Sequence, residues 1–187
     1  MVFFAILSKF VFLILFVKIF CFVFFRFFFF LSYFLFVIGM FSILVGILLA
    51  LYELKLRRLL AFSAISHVGY ILLAFSSFSL YGLDLFFIYL FVYIITIVNM
   101  FSILLFFRFE RFFFELKYLV ELALLPKSNF FLAVVVAIVL LSFAGIPPFA
   151  GFFGKLYIFI SLLEFHNYFL VGLVVFLGVL NSIFYLS

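Results

Sequence analysis

The chain has 187 residues, of which 73% are hydrophobic and only 9% are charged. Ordinary soluble domains carry about 25% charged residues, so this chain has too few polar side chains to cover a water-facing surface. Its net charge of +5 is too sparse and too interrupted for a nucleic-acid interface. Its single cysteine, Cys21, excludes an internal disulfide and a cysteine-based metal site. The composition therefore predicts a membrane protein.

Charged residues divide the apolar sequence into six segments, each near the length of a membrane-spanning helix, which needs about 20 apolar residues. In chain order these segments comprise residues 10–25, 27–51, 59–75, 85–107, 128–163 and 168–187. The sequence therefore predicts an all-α, polytopic membrane helix bundle that forms a single domain over residues 1–187.

Basic residues cluster in two of the loops, which the alternation of the segments places on the same face of the membrane. Those loops hold Lys55, Arg57, Arg58, Arg108, Arg111, Lys117 and Lys127. By the positive-inside bias, this face is the cytoplasm or the mitochondrial matrix, and both chain termini lie on it.

The second basic loop, residues 108–127, is predicted to be an interfacial connector. Two oppositely charged pairs lie four residues apart within it, Arg111–Glu115 and Lys117–Glu121. On a helix such pairs face each other. The connector is therefore either a short amphipathic helix lying along the membrane surface or a segment without regular structure.

The fifth segment is too long for one crossing, because its residues would span about 54 Å as a continuous helix in a hydrocarbon core about 30 Å thick. Its middle contains Pro147 and Pro148, which lack N–H groups, between Gly145 and Gly151. Proline breaks a helix, and glycine lets the backbone leave helical dihedral angles. We therefore expect a discontinuous helix here, whose freed carbonyls face protein or water instead of lipid.

Lys155 follows this predicted break within the membrane. An ammonium group at that depth is costly, and such residues usually face a bundle interior or a water-filled path. A lysine near a helix end can instead extend its side chain to the headgroups. The next charged residue is Glu164, about 13 Å further along a helix, which favours a functional role for Lys155.

A polar face is predicted on the third segment, where Ser63, Ser66, His67 and Tyr70 recur at helical spacing. Such a face can hydrogen-bond a neighbouring helix, which is a structural role. It can equally hold water and relay a proton, because histidine titrates near neutral pH. The residues alone leave both interpretations open.

For Lys9, the nearness to the start of the chain by itself favours a side chain that reaches the headgroups.

Two long motifs carry a resemblance to a known family. Residues 140–155 read Leu-Leu-Ser-Phe-Ala-Gly-Ile-Pro-Pro-Phe-Ala-Gly-Phe-Phe-Gly-Lys, and residues 56–70 read Leu-Arg-Arg-Leu-Leu-Ala-Phe-Ser-Ala-Ile-Ser-His-Val-Gly-Tyr. The first resembles the broken-helix signature of the antiporter-like subunits of respiratory complex I, and its ending resembles the subunit 2 type, called chain N in bacteria. The second is similar to a motif that precedes this signature in the same family.

The resemblance implies a function and a set of site residues. It implies a proton-conducting membrane-arm subunit of NADH:ubiquinone oxidoreductase in the mitochondrial inner membrane, with Lys155 and His67 as relay residues. Ser8-Lys9, followed by Lys18, resembles the family's Ser-Lys with a basic residue at the same offset, which makes Lys9 a third relay residue. Flavin, iron–sulfur clusters, nicotinamide and quinone would then be bound by other subunits, and neither a cofactor nor a metal is expected on this chain.

The resemblance covers nearly the whole chain, but it corresponds only to the carboxy-terminal portion of the family. It therefore implies, besides other membrane-arm subunits and lipid, a partner chain from a split gene that supplies the missing amino-terminal helices. A degenerate subunit with a broken relay is the alternative. Two other functions stay open: a cation/proton antiporter subunit without redox coupling, and a structural membrane scaffold, which has no need of Lys155 beside the two prolines.

Overall fold

The computed structural model describes residues 2–23, 27–77, 80–110, 118–122, 126, 129–165 and 168–186. The helices within these residues are, in chain order, α1 (Val2–Val23), α2 (Phe28–Leu51), α3 (Leu56–Ser76), α4 (Leu80–Glu110), α5 (Leu119–Leu122), α6 (Phe130–Ala144), α7 (Ala150–Phe165) and α8 (Tyr168–Leu186). Helices α6 and α7 are the two halves of the fifth predicted segment, and each other predicted segment corresponds to one helix. The prediction of an all-α, polytopic membrane bundle with one discontinuous helix is confirmed.

The lengths of the helices fit a bilayer. Residues 30–51, 56–76 and 82–106 form stretches long and apolar enough to cross a membrane, and shorter apolar helical stretches cover residues 10–20, 130–144 and 168–183. Two helices are longer than predicted, because α1 begins at Val2 and α4 continues to Glu110. A helix does not have to end where its apolar segment ends, so the charges that marked the predicted boundaries lie within helical turns.

The end of the connector is attached to the loop between α2 and α3. Tyr118 forms an isolated antiparallel bridge with Lys55, and the Leu119 N–H donates to the Leu54 carbonyl at 3.0 Å. Helix α5 follows directly. Residues 111–117 lie outside the described part of the chain, so the amphipathic helix proposed for the connector stays a prediction.

Helix α3 lies at the centre of the bundle, in contact with α2, α4 and α7. Most of its residues from Ser63 to Ser76 are buried, so its polar side chains face other helices instead of lipid. The Ser63 and Ser66 hydroxyls donate to carbonyls of their own helix, those of Leu60 at 2.9 Å and of Ser63 at 2.8 Å. The hydroxyl protons of these two serines are therefore used within their own helix. The longer side chains of the polar face, His67 and Tyr70, make its contacts with other helices.

Helices α2 and α3 approach each other closely because glycines line their interface. A Cβ atom at Gly46 would lie 2.8 Å from the backbone nitrogen of Ser66 and 3.0 Å from the carbonyl oxygen of Phe62. A Cβ atom at Gly69 would lie 2.8 Å from the carbonyl oxygen of Gly39. Small residues at such interfaces are usual in membranes, since lipid provides no hydrophobic drive between helices and association depends on close packing.

We expect Gly46→Ala to destabilise the bundle by about 1–3 kcal/mol, the usual cost of adding a carbon to a well-packed interface. The added methyl group meets the backbone of α3, which cannot rotate away as a side chain can. The control is Gly172→Ala on α8, where an added Cβ has no atom within 4 Å. Thermal unfolding of the purified assembly in detergent measures both variants, and equal midpoints would contradict this account of the interface.

Candidate functional site

The first half of the discontinuous helix ends in a Schellman motif. Gly145 adopts a left-handed conformation with φ of 78°, which glycine reaches without strain. Its N–H donates to the carbonyls of Leu141 and Ser142 at 3.1 and 3.2 Å, and the Ile146 N–H donates to Leu141 at 3.3 Å. These bonds satisfy two of the last four carbonyls of α6, and α7 begins at Ala150.

Lys155 binds the other two of these four carbonyls, which accept no hydrogen bond from the Schellman motif. Its Nζ donates to the Ala144 carbonyl at 2.8 Å and to the Phe143 carbonyl at 3.1 Å, and the residue is only 4% exposed. The carboxyl end of a helix carries a partial negative charge. The amino group therefore lies in the bundle interior, at a place that stabilises a cation, and does not extend to the headgroups.

The glycines of the break let the lysine amine reach these carbonyls. A Cβ atom at Gly145 would lie 2.9 Å from the amine nitrogen. A Cβ atom at Gly151 would collide with the carbonyl oxygen of Ser142, so α7 packs against the backbone of α6 at this point. Pro147 and Pro148 are exposed and form the connection without an N–H donor.

His67, on α3, lies in the same interior and is also only 4% exposed. Its Nδ1 hydrogen-bonds the hydroxyl of Tyr89, on α4, at 2.8 Å. Its ring contacts the rings of Tyr93 and Phe143, whose centroids are 5.0 and 5.3 Å away. His67 is thus enclosed by α4 and by the last turn of α6.

Two residues join His67 and Lys155 into one cluster. Phe143 contacts the histidine with its ring and accepts a hydrogen bond from the lysine with its carbonyl. The ring centroid of Tyr70 lies 6.4 Å from that of the histidine and 5.1 Å from the lysine Nζ, the latter a cation–π contact. The helix break and the polar face of α3, which are far apart in sequence, therefore form a single site.

Several buried polar atoms in and around this cluster have no hydrogen-bond partner among the described residues. They are His67 Nε2, Tyr70 Oη, Tyr93 Oη and Asn181 Nδ2. Buried polar groups are normally paired with protein or with ordered water, so these atoms mark a region that can bind small polar ligands. The described part of the chain contains no group of three histidine, cysteine, aspartate or glutamate side chains that could hold a metal ion.

The remaining predicted relay residue, Lys9, belongs to α1. Its side chain lies outside the part of the chain that the structure describes. Helix α1 contacts α4, the helix that carries Tyr89. The role of Lys9 as a relay residue stays a prediction.

The sequence reasoning missed the tyrosines of α4. Tyr89 and Tyr93 lie four residues apart in an apolar segment, a spacing that puts both on one face of a helix, so the sequence carried a signal for them. Phe143 had no such signal, because one phenylalanine among 40 in an apolar run cannot be distinguished from the others before the helices are packed.

A lysine buried at the break of a discontinuous membrane helix, with a histidine in the same cluster, is the arrangement of a membrane protein that moves ions. The fold and the site together therefore define the chain as a multi-pass membrane protein with a buried lysine at the break of a discontinuous helix. The chain belongs to the NADH:quinone oxidoreductase/Mrp antiporter transmembrane family, whose sequence model matches residues 1–181.

Relatives in this family occur in plants and bacteria. The chain is 40% identical over 145 residues to NADH-ubiquinone oxidoreductase chain 2 of Oenothera berteroana. This alignment covers 78% of this chain and 29% of the relative. It is 36% identical over 150 residues to NADH-quinone oxidoreductase subunit N of Francisella tularensis, which covers 80% of this chain and 30% of the relative. The chain thus spans less than a third of the length of either protein.

Two solved assemblies contain chains with a similar fold. The match to respiratory complex I from Thermus thermophilus has a TM-score of 0.68 and 28% identity, and covers 81% of this chain and 34% of that chain. The match to the Mrp complex from Dietzia has a TM-score of 0.67 and 26% identity, and covers 83% of this chain and 28% of that chain.

Proposed function

We propose that this chain is a proton-translocating component of the membrane arm of NADH:ubiquinone oxidoreductase, in which buried lysine and histidine side chains relay protons. The observation that carries this proposal is the position of Lys155, buried on the two free carbonyls of a broken membrane helix and in one cluster with His67. Lys9 is proposed as a further relay residue on the strength of the family motif alone.

The position of Lys155 suits proton exchange. Lysine, unlike arginine, exists in both charged and neutral forms in proteins. The Phe143 and Ala144 carbonyls can accept a hydrogen bond from either form, since both keep N–H donors. The amine can therefore stay at the same position when it releases a proton and when it takes one up.

Water is the proposed carrier between the two side chains. An unpaired buried polar atom costs about 1–3 kcal/mol, and the cluster offers unpaired atoms at His67 Nε2, Tyr70 Oη and Tyr93 Oη. Water molecules bound to these atoms would remove that cost and link the histidine to the lysine. We propose that protons pass along this water, with His67 and Lys155 as the two titrating stations.

The proposed assembly is the complex whose subunits the relatives are. NADH-ubiquinone oxidoreductase chain 2 of a land plant and the chain of respiratory complex I from Thermus thermophilus support this assignment. We propose that flavin, iron–sulfur clusters and quinone are bound by other subunits of that complex. The proposed location is the mitochondrial inner membrane, with both termini on the matrix side, which the basic loops support.

A partner chain is proposed to supply the rest of the antiporter-like unit, because this chain spans only 29% of the length of its Oenothera relative. Mass spectrometry of the purified complex tests this: we expect a separate membrane polypeptide whose sequence matches the amino-terminal part of chain 2. If every membrane chain is identified and none matches that part, the alternative of a degenerate subunit replaces the split gene.

Affinity purification through a tag on this chain tests the proposed assembly. We expect flavin- and iron–sulfur-containing subunits to co-purify, and the preparation to acidify or alkalinise proteoliposomes when NADH and a quinone are added. The second candidate is a cation/proton antiporter subunit, which the similarity to the Mrp complex supports. Co-purification of membrane chains alone, with sodium- or potassium-dependent proton movement and no NADH oxidation, would favour that candidate.

A further inference from the structure

We infer that Tyr89 is a positioning residue for proton exchange at His67, an inference that rests on the proposed function. Its hydroxyl lies 2.8 Å from His67 Nδ1, and both residues are buried. The spacing of Tyr89 and Tyr93 puts both on one face of a helix, but nothing in the sequence pairs Tyr89 with His67. The inference depends on the packing of α4 against α3, which brings together residues 22 positions apart.

The hydrogen bond with Tyr89 makes the two ring nitrogens of His67 different from each other. Nδ1 is occupied by the Tyr89 hydroxyl, whereas Nε2 has no partner among the described residues. A hydrogen bond at one ring nitrogen holds the orientation of the imidazole and leaves the other nitrogen to exchange a proton. Tyr89 therefore fixes the ring and reserves Nε2 as the nitrogen that exchanges a proton with water.

A hydroxyl group is suited to this task because it both donates and accepts. When Nδ1 carries a proton it can donate to the Tyr89 oxygen, and when Nδ1 is bare it can accept from the Tyr89 O–H. The bond between the two side chains therefore survives either state of the histidine. An apolar ring at position 89 would leave Nδ1 buried and unpaired, and the imidazole would be free to rotate.

Tyr89 is itself held by the helix that carries Lys155. A Cβ atom at Gly154 would lie 2.6 Å from the Tyr89 ring, so the ring packs directly on the backbone one residue before the lysine. Tyr89 thus contacts both halves of the proposed relay, by its hydroxyl and by its ring.

The titratable groups that face His67 come from three helices. Because each of them is known, a change in the titration of His67 can be attributed to the one group that a substitution removes. Among the described residues these groups are Tyr70 of α3, Tyr89 and Tyr93 of α4, and Lys155 of α7. Removing the hydroxyl of Tyr89 changes one of these neighbours and leaves the ring volume and the other three in place.

Tyr89→Phe in the assembled complex tests the inference. We expect the rate of proton translocation to fall by about 3- to 10-fold, the effect of losing one buried hydrogen bond. We also expect a shift in the pH profile of the NADH oxidation that is coupled to translocation. Tyr157→Phe is the matched control, because that tyrosine lies on α7 with 47% of its surface exposed; its rate and pH profile should match those of the unmodified complex.

The outcomes separate this inference from the proposed function. If Tyr89→Phe lowers the rate equally at every pH, or leaves it unchanged, while His67→Gln impairs translocation, the relay stands and Tyr89 does not position its histidine. If His67→Gln itself leaves translocation intact, the proposed role of His67 is wrong, and the positioning role of Tyr89, which depends on it, is wrong as well.

Discussion

Lys155→Met is expected to abolish the proposed proton translocation through this chain, with a loss of at least about 100-fold, the lower end of what removing a proton-transfer group costs. Methionine is an unbranched side chain only one atom shorter than lysine and fits an apolar interior, but it has no proton to exchange. The measurement is the proton-to-electron ratio of the complex in sealed vesicles, together with the rate of NADH oxidation. Either the ratio or the coupled rate must fall.

Lys155→Arg separates proton exchange from charge. Arginine keeps a cation and N–H donors at the Phe143 and Ala144 carbonyls, but it stays protonated in proteins. A relay therefore fails with arginine as it does with methionine, whereas a scaffold that needs only a cation at the helix end tolerates it. Full translocation in Lys155→Arg would overturn the relay role.

Lys18→Met is the control for the removal of a lysine from a membrane helix. Lys18 is exposed on α1, so its amine can reach the interface. We expect the assembly and the proton-to-electron ratio of this variant to equal those of the unmodified complex. Retention of translocation in Lys155→Met as well would favour the scaffold alternative for the whole chain.

The architecture was largely predictable because membranes impose simple rules. Lipid requires each spanning segment to be helical and about 20 residues long, so charges and length alone located the segments. The break was predictable for a covalent reason, since Pro147 and Pro148 cannot donate backbone hydrogen bonds. The ends of α1 and α4 were not, because a helix can continue beyond the lipid and its end depends on local contacts.

The site was predictable only residue by residue. Lys155 and His67 stood out because each is ionisable in an apolar run, but nothing in the sequence placed them in one cluster. Their meeting depends on Phe143, whose ring and carbonyl contact one partner each, and on the packing of α3 against α6 and α7. Tyr89 illustrates the same limit, since its partner is set by which face of α4 meets α3.

Gly151→Ala is expected to disable the site with a single added carbon. The new Cβ would collide with the carbonyl oxygen of Ser142, and because both groups are held by helix backbone, α7 must move away from α6. Overpacking of this kind costs about 1–3 kcal/mol. The same movement carries the Lys155 amine away from the Phe143 and Ala144 carbonyls, so translocation should fall together with thermal stability.

Phe153→Leu is the matched control on the same helix, because Phe153 is 50% exposed. This variant changes more atoms than Gly151→Ala, yet we expect it to keep both the thermal midpoint and the proton-to-electron ratio. Gly151→Ala and Lys155→Met should both lose translocation, the first because the helix is displaced and the second because the proton-exchanging group is absent. A Gly151→Ala complex that unfolds at the normal temperature and translocates protons normally would mean that the two half-helices are not held at this distance, and the geometry proposed for Lys155 would not be the working one.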